Sequence, residues 1–140
     1  MFKHILVPLD LAAKSGRALT LARRLAELSR ARVSLLHVVQ EIDNLAGSEV
    51  REIYRRFEKS ARQKITPMVG KAFRGSDLAV SLDVLVGVPA REIVRFAQSR
   101  RVDLIVMPSH KVVPRDPARG FGTTSYKVGI LCRCPILLVK

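Results

Sequence analysis

The side chains able to do chemistry here are three histidines, two cysteines and a large excess of cations. His4, His37 and His110 fall at strand ends or interiors, and none has a paired carboxylate or nucleophile at an identifiable catalytic spacing. His110 therefore reads as a loop histidine without a catalytic task, and the chain is not expected to be an enzyme. Cys132 and Cys134 are separated by a single residue, too tight for an ordinary structural disulfide, and no second cysteine pair completes a zinc site. They read as structural or incidental thiols, with a redox or metal role as the alternative. The 25 Lys+Arg against 12 Asp+Glu leave a formal charge of +13, which draws anionic partners over long range. Nucleotides, nucleic acid, an acidic protein, an anionic membrane or the cytoplasmic face of a membrane protein all satisfy that description. The densest cluster lies between Arg51 and Arg74, where a solvated basic surface that only confers solubility is the plain alternative.

These residues need elements to position them. Ile5-Leu6-Val7-Pro8-Leu9 is an almost wholly apolar run, as expected of a strand covered on both faces. From Lys14 to Ser29 the positions Ala18, Leu21, Ala22, Leu25 and Ala26 recur at helical spacing. Val33 to Val39 predicts a second strand, and Asp43 to Gly47 a loop. Ser48 opens a long helix with an inner face of Val50, Ile53, Tyr54, Phe57, Ala61, Ile65 and Met68, which Pro67 should bend or end. A third strand is expected over Leu78 to Leu85, and Pro89 suits the first position of a helix reaching about Ser99 and burying Ile93, Val94 and Ala97. Strands at Leu104–Met107 and Ile136–Val139 enclose a Pro- and Gly-containing loop and a short helix beginning near Thr123.

Strands alternating with helices predict an α/β fold, a single open doubly wound parallel sheet with helices on both faces. With 140 residues there is room for one domain, 1–140, and 48% hydrophobic residues exclude a disordered chain. No apolar run approaches the roughly 20 residues that span a bilayer. The start, Met1 to Pro8, reads as a strand rather than a signal peptide, so a cytoplasmic location is expected. Ligands in such sheets sit beyond the carboxyl ends of the strands where strand order reverses. That directs attention to Pro8–Ala12, Val38–Gln40 and Met107–Ser125.

Those segments carry a resemblance. "KHILVPLD", "LLHVV", "VGVPAREIV", "DLIVMPSHK", "GTTS" and "CPILLVK" occur in the order and near the spacing of the universal stress protein family, and cover essentially the whole chain. The resemblance implies a five-stranded sheet of order 3-2-1-4-5 and a homodimer formed through the last strand. Pro135, Ile136, Leu137, Leu138 and Val139 would form that interface, since pairing two apolar edges removes an edge that is a liability in a monomer. It further implies that one branch binds ATP through a glycine, two residues, a second glycine, nine residues, then Gly-Ser or Gly-Thr. Here Pro108 and Lys111 replace the first two glycines, and Gly122-Thr123 follows after a gap of ten. Proline has no N–H to give a phosphate, while Lys111, Arg115 and Arg119 could meet one as point charges. Leu11 also replaces a glycine usual after the first-strand aspartate.

Carried over residue by residue, the resemblance implies nucleotide contacts at Asp10, Val38, Met107, Ser109, His110, Lys111, Gly122, Thr123 and Thr124. Asp10 would lie near the ribose or the metal–phosphate region, and the backbone at Val38 would read adenine. ATP or another adenine nucleotide, with Mg as an optional companion, is the cofactor expectation; neither is assured by a loop carrying Pro108 and Lys111. Asp10 as a mere cap and Val38 as an ordinary strand residue are the alternatives. The functional expectation is a dimeric stress-response protein that binds an adenine nucleotide or other anion and regulates a partner. Two alternatives remain: a ligand-free dimeric interaction protein with a degenerate loop, and a nonspecific nucleic-acid binder. Against the last stand the 5% aromatic content and the lack of any recognised nucleic-acid motif.

Overall fold

The computed structural model describes residues 1–11, 15–43, 47–109, 115 and 123–140. In chain order the elements are β1 (His4–Pro8), α1 (Ser15–Ser29), β2 (Arg32–Gln40), α2 (Glu49–Ala72), β3 (Val80–Gly87), α3 (Pro89–Ser99), β4 (Leu104–Pro108), α4 (Thr124–Leu131) and β5 (Ile136–Val139). All four strand pairings are parallel and the order is β3-β2-β1-β4-β5, so the chain reverses direction across the sheet between β1 and β4.

The continuous apolar runs are explained by a core on each face. Alternate side chains of a strand point to opposite faces. Ile5, Val7, Val33, Leu35, Leu104 and Val106 pack with Ala18, Leu19, Ala22, Ala61 and Ile65 of α1 and α2. Leu6, Leu36, Ile105 and Met107 pack on the other side with Ile93, Phe96 and Ala97 of α3 and Val128 of α4.

Several local expectations are corrected. β3 starts two residues later than predicted and runs to Gly87, because Leu78 N–H donates to Ser76 Oγ (3.2 Å) in a turn and the ladder begins at Val33↔Val80. Pro67 does not end α2, which continues to Ala72. Proline withholds only its own N–H from the carbonyl four residues back; Gln63 and Pro67 are both exposed, so water can take that acceptor. Phe57 is not on the buried face but 42% exposed, and Leu19 of α1 is fully buried where Leu21 and Leu25 are half-buried. Tyr54 is half-buried, and its hydroxyl accepts from Ile42 N–H (2.8 Å), tying α2 to the segment leaving β2. On α3, Phe96 and Ala90 join the buried set, and Val94 is half-buried. The α1 start falls at Ser15; Lys14 lies outside the described residues.

His4 anchors the amino end of the sheet. Its Nδ1 lies 3.0 Å from the Arg100 carbonyl, which can only accept, so Nδ1 carries the proton. Nε2 must then accept from Ser34 Oγ at 2.6 Å, and Ser81 Oγ extends the chain at 3.4 Å. Burial, the largest cause, holds the His4 imidazole below its ordinary value, against the raising effect of the Arg100 carbonyl.

Candidate functional site

The strand-order reversal opens a cleft of about 200 Å³ at the carboxyl edge of the sheet. β1 brings Pro8 and, just past its end, Leu9 and Asp10; β2 brings Leu36, His37 and Val38; β4 ends in Met107 and Pro108. Pro89 and Ile93 of α3 close one side, and Thr124 opens α4 at the rim.

Each wall is held by local bonding. Leu9 N–H donates to the Leu36 carbonyl (2.8 Å), extending the β1–β2 pairing past Pro8 into the cleft. His37 Nδ1 lies 2.7 Å from the Leu9 carbonyl, which can only accept, so Nδ1 carries a proton and donates it. Ser15, fully buried at the start of α1, donates its hydroxyl toward Asp10 Oδ1 (3.1 Å) and the Asp10 carbonyl (3.2 Å). At α4 the Thr123 Oγ1 accepts from Tyr126 N–H (3.3 Å), an N-cap that leaves the Thr124 and Ser125 N–H groups without intrahelical acceptors, as at any helix start. That end carries the positive pole of the helix and favours an anion.

On the floor side, Gly87 lets β3 turn directly into α3. A Cβ there would stand 2.7 Å from Glu92 Cγ, so a side chain at 87 would push into the first turn of α3 next to Pro89. The Gly87 carbonyl meanwhile accepts from Glu41 N–H (3.0 Å).

The universal stress protein family model aligns with residues 1–140. The chain belongs to the universal stress protein family. Among curated relatives of this universal stress protein, YxiE of Bacillus subtilis is 29% identical over the full length of both chains. MJ0577 of Methanocaldococcus jannaschii is 28% identical over 79% of this chain and 78% of its own. The solved structure of MJ0577 superposes with a TM-score of 0.85, covering 100% of this chain and 96% of the other. A universal stress protein solved in complex with cAMP shares the fold at 18% identity, with a TM-score of 0.69, covering 99% of this chain and 97% of its own. One from Archaeoglobus fulgidus solved with dAMP does so at 20%, with a TM-score of 0.63, covering 99% of this chain and 98% of its own.

The fold thus gathers Asp10, Val38, Met107 and Thr124, distant in sequence, on one cleft. Thr123 caps the helix at its rim. Ser109 is half-buried just past β4, its N–H donating to the Val139 carbonyl (2.9 Å), which commits that donor to the β4–β5 edge. His110, Lys111 and Gly122, along with Ala12 and Arg119, lie outside the described residues. Leu9 falls in the Pro8–Ala12 segment singled out from the sequence, whereas His37, Leu36, Pro89 and Ile93 line the cleft although sequence reasoning did not place them there. The signal for His37 was its position immediately before Val38 at a strand's carboxyl end. His4 sits at the opposite end of β1 and takes no part in the cleft.

The predicted interface residues Ile136 to Val139 form the edge strand β5, with Pro135 just before it. Leu137 and Leu138 are 38% and 44% exposed, and Ile130, Leu131 and Tyr126 of α4 add further exposed apolar surface. The opposite edge, β3, carries Ser81 and Asp83, the kind of polar residues that blunt an edge.

Proposed function

We propose that this universal stress protein is a cytoplasmic homodimer, paired through β5, whose cleft takes an adenine nucleotide and whose occupancy alters its hold on a protein partner. The observation that carries this reading is the meeting of Asp10, Val38, Met107 and Thr124 around one cleft at the strand-order reversal. Pockets for drug-sized ligands run to roughly 300–1,000 Å³, so a cleft of about 200 Å³ suits a base and sugar, with phosphates leaving toward α4. Backbone at Val38 faces the base, His37 Nε2 accepts from an amino or hydroxyl group, Asp10 takes the ribose, and the start of α4 receives negative charge. The cAMP and dAMP complexes of relatives with this fold are consistent with that choice.

The residues fit the nucleoside better than a triphosphate. Pro108, on the cleft wall, has no N–H to offer phosphate. Among the described residues no group of three or more His, Cys, Asp or Glu side chains could hold a metal, so Mg would need the nucleotide's own phosphates as ligands beside Asp10. Pro108 also favours the second reading, a ligand-free dimer acting only through its surfaces.

Calorimetry of nucleotide-stripped protein with ATP, ADP, AMP and cAMP separates the two. Saturable binding at one site per chain, weakened by Asp10→Ala, is expected, with little gain from AMP to ATP. Pro108→Gly should widen that gain by restoring a backbone donor. No heat at millimolar nucleotide would move the protein to the ligand-free class.

A further inference from the structure

The two cysteines of the chain line a second cleft that shares no lining residue with the nucleotide cleft. Cys132 closes α4: its N–H donates to the Val128 carbonyl (2.9 Å) and its backbone is already extended, φ −84 and ψ 143. Three residues later the Pro135 carbonyl accepts from Ile105 N–H (3.0 Å), which starts the pairing of β5 with β4. The short extended link between these two anchors puts residues 132 and 134 on the same side, because side chains alternate along extended backbone. Both cysteines are half-buried against the α3–α4 core, while Arg133 between them is exposed.

The result is a pair of free thiols with Sγ atoms 3.4 Å apart. They line an open cleft of about 320 Å³ together with Asp103, Arg101 and Arg133, so a small oxidant can reach them. No group of three or more ligating side chains is present among the described residues, which favours dithiol chemistry over a metal site. Burial first, then the hydrogen bond with Cys132, pushes the Cys134 thiol up to about 12. Cys134 thus holds its proton and can donate it toward Cys132 Sγ, and the proposed order of attack, Cys132 first, is what the labelling experiment tests.

We propose that Cys132 and Cys134 form a reversible dithiol–disulfide switch, oxidised by hydroperoxides, at the junction of α4 and β5. The Cys132 thiolate attacks a peroxide oxygen; the S–O bond forms, the O–O bond breaks, and its electron pair leaves on hydroxide, which takes up a proton. Cys132 is then a sulfenic acid. Cys134 sulfur attacks it and gives up its proton, the S–S bond forms, the S–O bond breaks, and water leaves. Two thiols become one disulfide as hydrogen peroxide becomes two waters. Closing the sulfurs from 3.4 Å to about 2.05 Å draws the α4 cap toward the start of the edge strand. Because only one residue separates the cysteines, the ring is small, and such disulfides are readily reduced, as a switch in a reducing compartment requires.

The test treats reduced protein with hydrogen peroxide and reads intact mass, followed by peptide mapping. Expected is loss of two hydrogens, a Cys132–Cys134 crosslink within one chain, and full reversal by dithiothreitol. A sulfenic-acid probe should label Cys132 in Cys134→Ser, with at least about tenfold less label on Cys134 in Cys132→Ser; circular dichroism checks that both serine variants fold. Unchanged thiols, stable oxygen adducts on both sulfurs, or a crosslink only between chains would each overturn the proposal. Equal labelling of the two single variants would overturn the assigned order of attack.

Discussion

Replacing Leu138 by lysine should break the proposed homodimer while leaving the protomer folded. Leu137 and Leu138 are 38% and 44% exposed in the single chain. Full burial of a leucine side chain is worth about 1.5–3 kcal/mol, so covering what remains of both leucines on both protomers supplies about 2–5 kcal/mol. Leu138 accounts for about half of this, about 1–3 kcal/mol per dimer, or roughly tenfold to a hundredfold in dissociation constant. Two ammonium groups brought together across the twofold weaken it further, so at least about tenfold is expected. Sedimentation velocity over a concentration series measures this directly. Phe57→Lys is the control, since it makes the same charge change on the exposed side of α2, away from β5. Each chain carries a formal +13, so the dimer should also tighten as salt screens the repulsion between protomers. A wild-type chain that stays monomeric at high concentration, or a Leu138→Lys variant that dissociates no more readily than Phe57→Lys, would refute the reasoning.

Three further outcomes follow from the geometry. The folded pKa of His4 lies below its unfolded value, so its contribution to stability is fully present above about pH 6.5 and is lost as pH falls toward the folded pKa. Urea unfolding between pH 5 and 7 should therefore show a stability loss that His4→Leu largely removes, and an identical slope in the variant would assign the effect elsewhere. Ser34→Ala, which strips the donor from buried His4 Nε2, should cost about 1–3 kcal/mol at pH 7.5. Thr123→Ala removes the acceptor for Tyr126 N–H at the start of α4 and should cost about 1 kcal/mol in the same assay; an unchanged midpoint would mean that the cap contributes nothing to stability.

The order of elements was legible because strands covered on both faces must be apolar throughout, as Ile5 to Leu9 and Leu104 to Met107 are. Helix interiors were legible from their periodicity, but their ends were less so. Just past α1 and α3 stand Arg30 (φ 55) and Arg101 (φ 53), arginines in the left-handed conformation that usually calls for glycine. Ala31 N–H to the Ala26 carbonyl (3.0 Å) and Val102 N–H to the Ala97 carbonyl (2.9 Å) hold those ends, bonds that composition does not announce. Phe57 was misplaced because it sits at the margin of an apolar stripe, where the packing of α2 on the sheet decides which residues are covered.

By itself the sequence determined the parallel α/β class, the run of elements, the family likeness and the departure at Pro108, because each depends on residue type and local spacing. It also named Asp10, Val38, Met107 and Thr124 one at a time. Only the tertiary structure decided that these four share a cleft with His37, and that two thiols stand 3.4 Å apart. Those are distances between segments as far apart in the chain as Asp10 and Thr124, or the setting of side chains between two anchors. Crossover connections and hydrogen-bond register fix them, and neither is written in any local window of the chain.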